Sequence, residues 1–296
     1  MNPREKGFLL LTSNLGDPLR KPLTTAQLRT LADRAWQMDV EDTDRNLVPE
    51  DLMALGYGLE MATKIVSLLE QEDLLDYYTK KAAASGCIPI TRVSQLYPLL
   101  LRKRLGLNAP GVLWAKGDVE ILNTPMVSLV GSRDLLESNR KFAQEVGRQA
   151  ALQGYTLVSG NARGADQAAQ NACLKAGGQV VSVVADSLCA HHNRENVLYL
   201  SLDEYDSEFS AQRALSRNRV IHALGSKTFV AQCNLGMGGT WDGTVKNLRY
   251  GWSNIFCFDD GSQAMLQLLQ MGATKISKEQ LENLDNLEPE AKSLFE

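Results

Sequence analysis

Three glycine-containing loops carry residues that could hold an anionic ligand. Each loop follows a run of residues that predicts a buried strand. Glycine lets the backbone approach a ligand closely, helix-start amides attract anions, and arginine adds a forked donor for phosphate. The residues are Gly131, Ser132 and Arg133; Ser159, Gly160, Arg163, Gly164 and Asp166; and Gly238, Gly239 and Thr240. Because ligands of parallel sheets bind beyond the carboxyl ends of the strands, these loops predict a site for a phosphate-containing ligand.

A fourth group lies in a later helical stretch. Arg217 and Arg219 flank Asn218, and two arginines can bridge adjacent phosphates with bidentate contacts. Taken alone, the group is also consistent with a solvated helix surface. Beside the three loops, it joins the predicted site.

Several motifs for other chemistries are absent from the sequence. Neither G-x-G-x-x-G nor G-x-x-x-x-G-K-[ST] occurs, which disfavours dinucleotide binding and Walker-type ATP hydrolysis. Neither G-x-S-x-G nor H-E-x-x-H occurs either. The five cysteines are widely spaced, which predicts free thiols in a reducing compartment and no metal site. No cofactor is predicted.

The elements that must position these loops alternate between strand and helix. Strands are predicted at 126–130, 155–158, 180–184, 228–231 and 255–258. Helices are predicted between them, one with Phe142, Val146 and Ala150 on a single face, and others at 165–175, 211–224, 244–250 and 262–271. The alternation predicts an α/β fold with a mostly parallel sheet covered on both faces.

The chain is expected to have three parts. Residues 1–85 read as a small all-α domain, residues 86–276 as the α/β domain, and residues 277–296 as a short acidic segment. In the first part, Gly56-Tyr57-Gly58 joins two helices in a way similar to a helix-hairpin-helix motif. One such copy is not specific, and a helical module that packs its own core is the simpler interpretation.

Charge and hydropathy limit the partners. The chain has 31 basic and 35 acidic residues, a formal net charge of −4. A non-specific polycation is therefore disfavoured, whereas a local basic patch stays open. The only apolar stretch near the N-terminus, residues 8–11, is too short for a signal peptide, and no run approaches the ~20 residues of a membrane span. We expect a cytoplasmic protein with no membrane partner.

The ordered motifs resemble those of the DNA-processing protein A (DprA, or Smf) family. They are Val130-Gly131-Ser132-Arg133, Val158-Ser159-Gly160-x-Ala162-Arg163-Gly164-x-Asp166, Ser207-Glu208 and Arg217-Asn218-Arg219-x-Ile221, preceded by Tyr97-Pro98-x-Leu100-Leu101 and Val112-Leu113-Trp114-Ala115-Lys116-Gly117. The resemblance covers about residues 85–260. It implies a doubly wound, Rossmann-like domain, and the N-terminal segment is similar to that family's sterile-alpha-motif-like or helix-hairpin-helix-like domain.

The resemblance implies a non-catalytic protein that binds single-stranded DNA. Family members protect incoming DNA during natural transformation, help load the RecA recombinase and generally act as homodimers. By position, the phosphates would face Arg133, Arg163, Arg217 and Arg219. Ser132, Gly160 and Gly164 would shape the pocket, and Asp166 would orient Arg163 or cap the next helix.

Two departures from the family pattern matter. The Gly238-Gly239-Thr240-Trp241 stretch replaces a Ser-Gly-x-x-x-Thr-Ala-like pattern, which alters one wall of the pocket. Residues 277–296 are also too short for the winged-helix domain of many members, so no property of that domain is carried over.

A nucleotide-binding sensor or a phosphoribohydrolase-related enzyme is the alternative. Phosphoribohydrolases of the wider superfamily carry a P-G-G-x-G-T-x-x-E motif whose glutamate acts in N-glycosidic cleavage. Here the matching position holds Asn247, and an amide cannot act as a general base. The hydrolase is therefore disfavoured, while a nucleotide sensor stays open.

Two further groups are weaker candidates. Trp241, Tyr250 and Trp252 could stack on a base, although aromatic residues at this spacing more often belong to a core. Leu224, Phe229 and Trp252 are candidates for a dimer contact, which sequence cannot separate from core packing.

Overall fold

The chain divides into two units. The computed structural model describes residues 1–35 and 46–289. One unit comprises Met1–Tyr97 with Pro110–Leu113, and the other comprises Pro98–Ala109 with the chain from Trp114 onward. Residues 86–97, which the sequence analysis places in the α/β domain, thus group with the helical unit.

The first unit is mainly helical. Its elements are α1 (Pro3–Thr12), α2 (Thr25–Ala35), α3 (Pro49–Ala54), α4 (Leu59–Leu69), α5 (Glu72–Ala84) and β1 (Cys87–Thr91). The side chains of Leu52, Ala62 and Ile65 are buried in one cluster with Leu11 and Leu23. The Gly56–Gly58 turn joins α3 to α4, and Tyr57 lies under the Arg34 guanidinium, 4.2 Å from it.

The second unit alternates strands and helices. Its elements are α6 (Leu99–Leu105), β2 (Val112–Lys116, of which Val112 and Leu113 group with the first unit), β3 (Met126–Val130), α7 (Glu137–Leu152), β4 (Thr156–Ser159), α8 (Ala165–Lys175), β5 (Val180–Val183), β6 (Val197–Ser201), α9 (Ala211–Leu224), β7 (Lys227–Val230), α10 (Gly238–Tyr250), β8 (Asn254–Phe258), α11 (Gln263–Gln270) and β9 (Thr274–Ile276).

Within this unit the strands form one sheet in the order β2-β6-β5-β4-β3-β7-β8-β9. Every pairing from β6 to β9 is parallel, and only β2 runs antiparallel to its neighbour. Val127 pairs with Leu157 on one side of β3, and Leu129 pairs with Phe229 on the other. The predicted α/β fold with a doubly wound, mostly parallel sheet is confirmed.

The chain winds in opposite directions from β3, and this placement creates the switch point of the sheet. Helices α7 and α8 pack together over β3 and β4, and α9 lies against the same strands with α10 beside it. Because crossovers between parallel strands are right-handed, the two helix pairs cover opposite faces. The loops after β3 and β7 therefore lead to opposite faces of the sheet and leave a crevice at the carboxyl ends of these strands, where doubly wound folds bind ligands.

Most predicted elements match the structure, apart from the start of one helix and three elements that the sequence analysis does not predict. Helix α7 buries Phe142, Val146 and Ala150, as its periodicity predicts. Helix α10 begins at Gly238 rather than near Thr244, because the glycine pair that suggested a loop adopts the helix's first turn. The sequence analysis does not predict α6, β6 or β9.

The segment after β9 packs on the second unit. Leu281 and Leu284 are fully buried. The Gln153 side chain donates to the Leu281 carbonyl (2.8 Å) and accepts from the Leu284 amide (2.7 Å). The acidic segment predicted for 277–296 is thus anchored to the fold through Leu281 and Leu284, and residues 290–296 lie outside the described range.

Three residues proposed for a dimer contact belong to the core. Phe229 is fully buried and packs against Phe256, and Leu224 is 3% exposed. Trp252 is 9% exposed and stacks under Tyr250. This candidate set is wrong because its side chains already fill the interior of their own chain. Within the described ranges, no helix combines the length and apolar character that crossing a bilayer requires.

Candidate functional site

A cavity of about 530 Å³ lies at the carboxyl ends of β3, β4 and β7, and we call it the strand-end cavity. A second cavity of about 400 Å³ adjoins it near the ends of β4 and β5, and we call it the side cavity. Arg133, Ala162, Phe209 and Arg217 line both. The three loops and α9 are therefore brought together, as the sequence analysis predicts.

Hydrogen bonds between the loops fix the floor of the strand-end cavity. The Ser132 amide donates to the Gln232 carbonyl (2.9 Å), and the Ser132 carbonyl accepts from the Ala165 amide (3.1 Å). The Thr240 hydroxyl donates to the Gly131 carbonyl (3.1 Å). Since each bond joins segments that follow different strands, the loops form one preorganised surface.

Glycine is required where these loops meet. Gly164 has a φ of +93°, and a Cβ there would overlap the carbonyl oxygens of Ser132 and Arg133. A Cβ on Gly160 would overlap the Arg217 guanidinium. The predicted glycine positions therefore allow close backbone packing beside the cavities.

Arg133 and Arg163 are the exposed cations of the site. Both are exposed at the rim, Arg133 of both cavities and Arg163 of the side cavity. Arg163 faces Asp134 at 3.4 Å, with both side chains mostly in solvent. Such an exposed pair is worth little, so Arg163 can exchange its partner for a phosphate at small cost.

Arg217 is buried rather than displayed. It is 8% exposed, and its Nη1 donates to the carbonyls of Gly160 and Val183. Its Nε is buried without a hydrogen-bond partner in the structure. Arg217 thus contributes positive charge from the wall of the cavities while bonding the ends of β4 and β5 together.

Asp166 holds the loop after β4. It is the second residue of α8, and its Oδ2 accepts from the amides of Gly160 and Ala162, both at 3.1 Å. Burial raises the pKa of Asp166 to about 6, against the opposing effect of Arg217. Neither role expected for Asp166 is observed: Arg163 faces Asp134, and the two amides that Asp166 accepts from precede α8 instead of belonging to its first turn.

Three predicted site residues, Ser159, Gly164 and Arg219, line neither cavity. Arg219 is instead near Asp203. Burial raises the pKa of the Asp203 carboxyl, and the positive charges of Arg213 and Arg219 oppose that rise. Residues two apart on a helix point in different directions, so Arg217 and Arg219 do not act as a pair. Ser159 is fully buried and accepts a hydrogen bond from Gln170 (2.6 Å).

The first turn of α10 forms part of the wall of the strand-end cavity. Gly238, Gly239 and Thr240 line the strand-end cavity. Asn218 donates to the Gly239 carbonyl (2.9 Å), which holds α9 against this turn. The N-cap residue Met237 makes no side-chain cap, so the helix-start amides are left for an anion.

Sequence reasoning missed Phe209. Its ring is 58% exposed and lines both cavities. The available signal is its place directly after Ser207-Glu208 and just before α9. The aromatics named instead are less well placed: Tyr250 and Trp252 lie at the far end of α10, and Trp241 is half-buried and lines neither cavity.

Fold and site together define a doubly wound, Rossmann-like protein with a cationic cavity at its switch point. The family model of DNA recombination-mediator protein A matches residues 89–284. The chain therefore belongs to the DNA recombination-mediator protein A family.

Curated relatives and solved structures agree with this assignment. The chain is 27% identical over 205 residues to DNA processing protein DprA of Bacillus subtilis, covering 64% of this chain and 67% of the relative. It is 30% identical over 141 residues to DprA of Streptococcus pneumoniae, covering 44% and 50%. The matches thus span from half to about two thirds of these relatives.

Two solved structures share the fold. The S. pneumoniae DprA structure matches with a TM-score of 0.72 and 22% identity, covering 95% of this chain and 97% of that one. DNA processing protein A from Helicobacter pylori, whose structure concerns its single-stranded DNA binding mode, matches with a TM-score of 0.56 and 22% identity over 67% and 94%.

Proposed function

We propose that this chain binds single-stranded DNA at the strand-end and side cavities, and that it helps load RecA onto that DNA. The observation that supports the DNA site most directly is the convergence of Arg133, Arg163 and the first turn of α10 on one carboxyl edge of the sheet. These groups bind phosphates regardless of base sequence.

Phe209 gives the site a means of holding an unpaired base. Proteins that bind single strands without sequence preference combine a positive groove with exposed aromatic rings. The exposed ring of Phe209 borders both cavities beside Arg133. A base of a duplex is already stacked on its neighbours, so this arrangement favours single strands.

The nucleotide sensor is the competing proposal, and hydrolysis is disfavoured. Asn247, at the position of the phosphoribohydrolase glutamate, is fully buried and bonded to His222 (3.0 Å) and Ser253 (2.9 Å). A side chain held in this way has no route to a substrate. We infer that the chain is a binding protein rather than an N-glycosidase.

Fluorescence anisotropy with a labelled oligo-dT at two salt concentrations tests the proposal. Arg133→Ala should weaken binding and lower the slope of log K against log salt by about 0.7, the value for one phosphate contact on a single strand. Phe209→Ala should cost about 1–3 kcal/mol, with recovery in Phe209→Tyr. Lys103→Ala, which removes an exposed cation from α6, is the matched control.

The result that overturns the proposal is binding unaffected by Arg133→Ala and Phe209→Ala, or no preference for single strands over duplex. Competition by a free mononucleotide at lower concentration than the oligonucleotide would favour the sensor. RecA loading is tested separately, as the rate at which RecA begins ATP hydrolysis on DNA coated with single-strand binding protein. Wild-type chain should raise that rate, and Arg133→Ala should not.

A further inference from the structure

A groove of about 1400 Å³ lies along α7 and α8, outside the two cavities, and we call it the helix groove. At one end it includes Arg133 and Arg163, which also line the cavities. At the other end it reaches Lys278, in the segment after β9. Helix α7 has 16 residues, so it spans about 24 Å. The groove is therefore continuous with the proposed DNA site and extends well beyond it.

The helix groove is basic within an acidic chain. Seven lysine or arginine residues and four carboxylates line it, an excess of three positive charges, whereas the chain as a whole carries −4. Binding of a polyanion depends on such local clustering rather than on the total.

Two of the four carboxylates that line the helix groove, Glu145 and Asp134, face a guanidinium. Glu145 accepts from the Arg148 guanidinium at 2.6 Å, and this bond holds the pKa of Glu145 below its usual range. Asp134 faces Arg163. By contrast, Lys141 and Lys175 are exposed, one on each helix, and the contact of Lys141 with Glu137 is an exposed pair at 3.9 Å. These two lysines are the cations most available to a phosphate.

Neutral amides fill the spaces between the cations. Gln144 on α7, and Gln167 and Asn171 on α8, are exposed and line the groove. Amide groups donate to phosphate and accept from base edges alike. A track of cations and amides suits a flexible polyanion bound without sequence preference.

We infer that the helix groove carries the backbone of single-stranded DNA onward from the strand-end cavity, along α7 and α8 toward Lys278. This inference rests on the proposed function, because it takes the cavity as the place where the strand is first held. The continuity of the lining through Arg133 and Arg163, and the complementary charge, favour this occupant over an acidic segment of another protein.

The test compares oligo-dT of about 6, 12 and 24 nucleotides, since site sizes of single-strand binding folds are about 4–16 nucleotides. The groove variant is Lys141→Ala with Lys175→Ala. The matched control is Lys80→Ala with Lys103→Ala, which removes the same charge from exposed positions that line neither the groove nor the cavities. Circular dichroism and thermal unfolding establish that all variants are folded.

The wild-type chain should bind the longer oligonucleotides several-fold more tightly than the shortest. The groove variant should lose that gain while binding the shortest one normally, and its salt slope on the longest should fall by about 1.4, for two phosphate contacts. A groove variant that matches the control at every length overturns the inference but leaves the cavity intact. Failure of the wild-type chain to bind any length, or binding indifferent to Arg133→Ala, overturns the proposed function and the inference with it.

Discussion

At the scale of single residues, Asp166 and Arg217 decide the shape of the loop after β4. The Asp166 carboxylate accepts hydrogen bonds from the amides of Gly160 and Ala162. The Arg217 guanidinium donates to the Gly160 carbonyl. Both side chains are under 10% exposed, so neither can turn to solvent without opening the loop. The cationic wall of the cavities is therefore rigid, which lowers the entropy lost when a ligand is bound.

The titration of Asp166 gives a pH-dependent prediction. Its pKa is about 6 in the folded chain and 3.8 ordinarily, because burial disfavours the charged form. The folded chain thus keeps a proton that the unfolded chain releases. The resulting stabilisation is complete below about pH 4 and is lost as the pH rises through 6, a change of about 3 kcal/mol.

Asp166→Asn has no such titration. Urea unfolding at several pH values should therefore show the wild-type chain losing stability relative to Asp166→Asn between pH 4 and 6, because the other titrating groups cancel in the difference. Asp134→Asn, which removes an exposed carboxylate at the rim, is the control and should track the wild type. If the difference in free energy of unfolding between the wild type and Asp166→Asn does not change between pH 4 and 6, the raised pKa of Asp166 is contradicted.

The sequence predicts which loops form the site better than it predicts what each residue does. The loops that follow parallel strands meet at the carboxyl ends of those strands, and this places Gly131, Arg133 and Gly164 as predicted. The roles of Asp166 and Arg217 depend on which carbonyls and amides lie within reach, and that is set by tertiary packing. Only the separation of Arg217 from Arg219 could have been read from their spacing on a helix.

At the scale of elements, Gly147 is a point of close backbone contact between α7 and α8. Gly147 lies in the middle of α7, and a Cβ there would overlap the carbonyl oxygen of Ala169. The two helices form the floor of the helix groove and cover β3 and β4. A larger residue must push α8 away from α7, since the obstacle is backbone and cannot rotate aside.

Gly147→Ala should therefore destabilise the chain even though alanine is the better helix former. Overpacking costs about 1–3 kcal/mol, against a gain in helix propensity of about 1 kcal/mol. Gly7→Ala is the matched control: Gly7 is also inside a helix, and its Cβ would meet only Leu69 at 3.9 Å. That variant should be stabilised by about 0.5–1 kcal/mol. The midpoint of thermal unfolding should fall in Gly147→Ala and rise in Gly7→Ala. A change of the same sign in both variants contradicts the packing argument.

Element boundaries show where local sequence signals are weakest. The start of α10 is missed because Gly238 and Gly239 have low helix propensity, whereas the fold uses them to bring helix-start amides beside Asn218. Strand β6 is missed although Val197-Leu198-Tyr199-Leu200 is a plain apolar run. Its position between β5 and β2 depends on pairing partners distant in sequence, which local periodicity does not reveal.

At the scale of the whole molecule, charge is distributed so that an acidic chain keeps a basic side. Two carboxylates beyond β9 line the helix groove, where Glu279 is near Lys278 and Glu282 is near Arg148. Their backbone is fastened to the second unit by Gln153 and by a hydrogen bond from the Tyr155 hydroxyl to Asp285. Composition marks residues 277–296 only as a short acidic segment, and it does not reveal that Leu281 and Leu284, between the charges, are buried in the core.

Those leucines make the segment after β9 a structural part of the second unit. Leu281 is fully buried, so Leu281→Ala should lower the free energy of unfolding by about 2–5 kcal/mol. Leu287→Ala, in the same segment but only half-buried, is the matched control and should cost less. Chemical denaturation with a single transition in both variants measures the difference. Equal small losses would mean that the segment does not contribute to the core, and its carboxylates would then be free to move away from the helix groove.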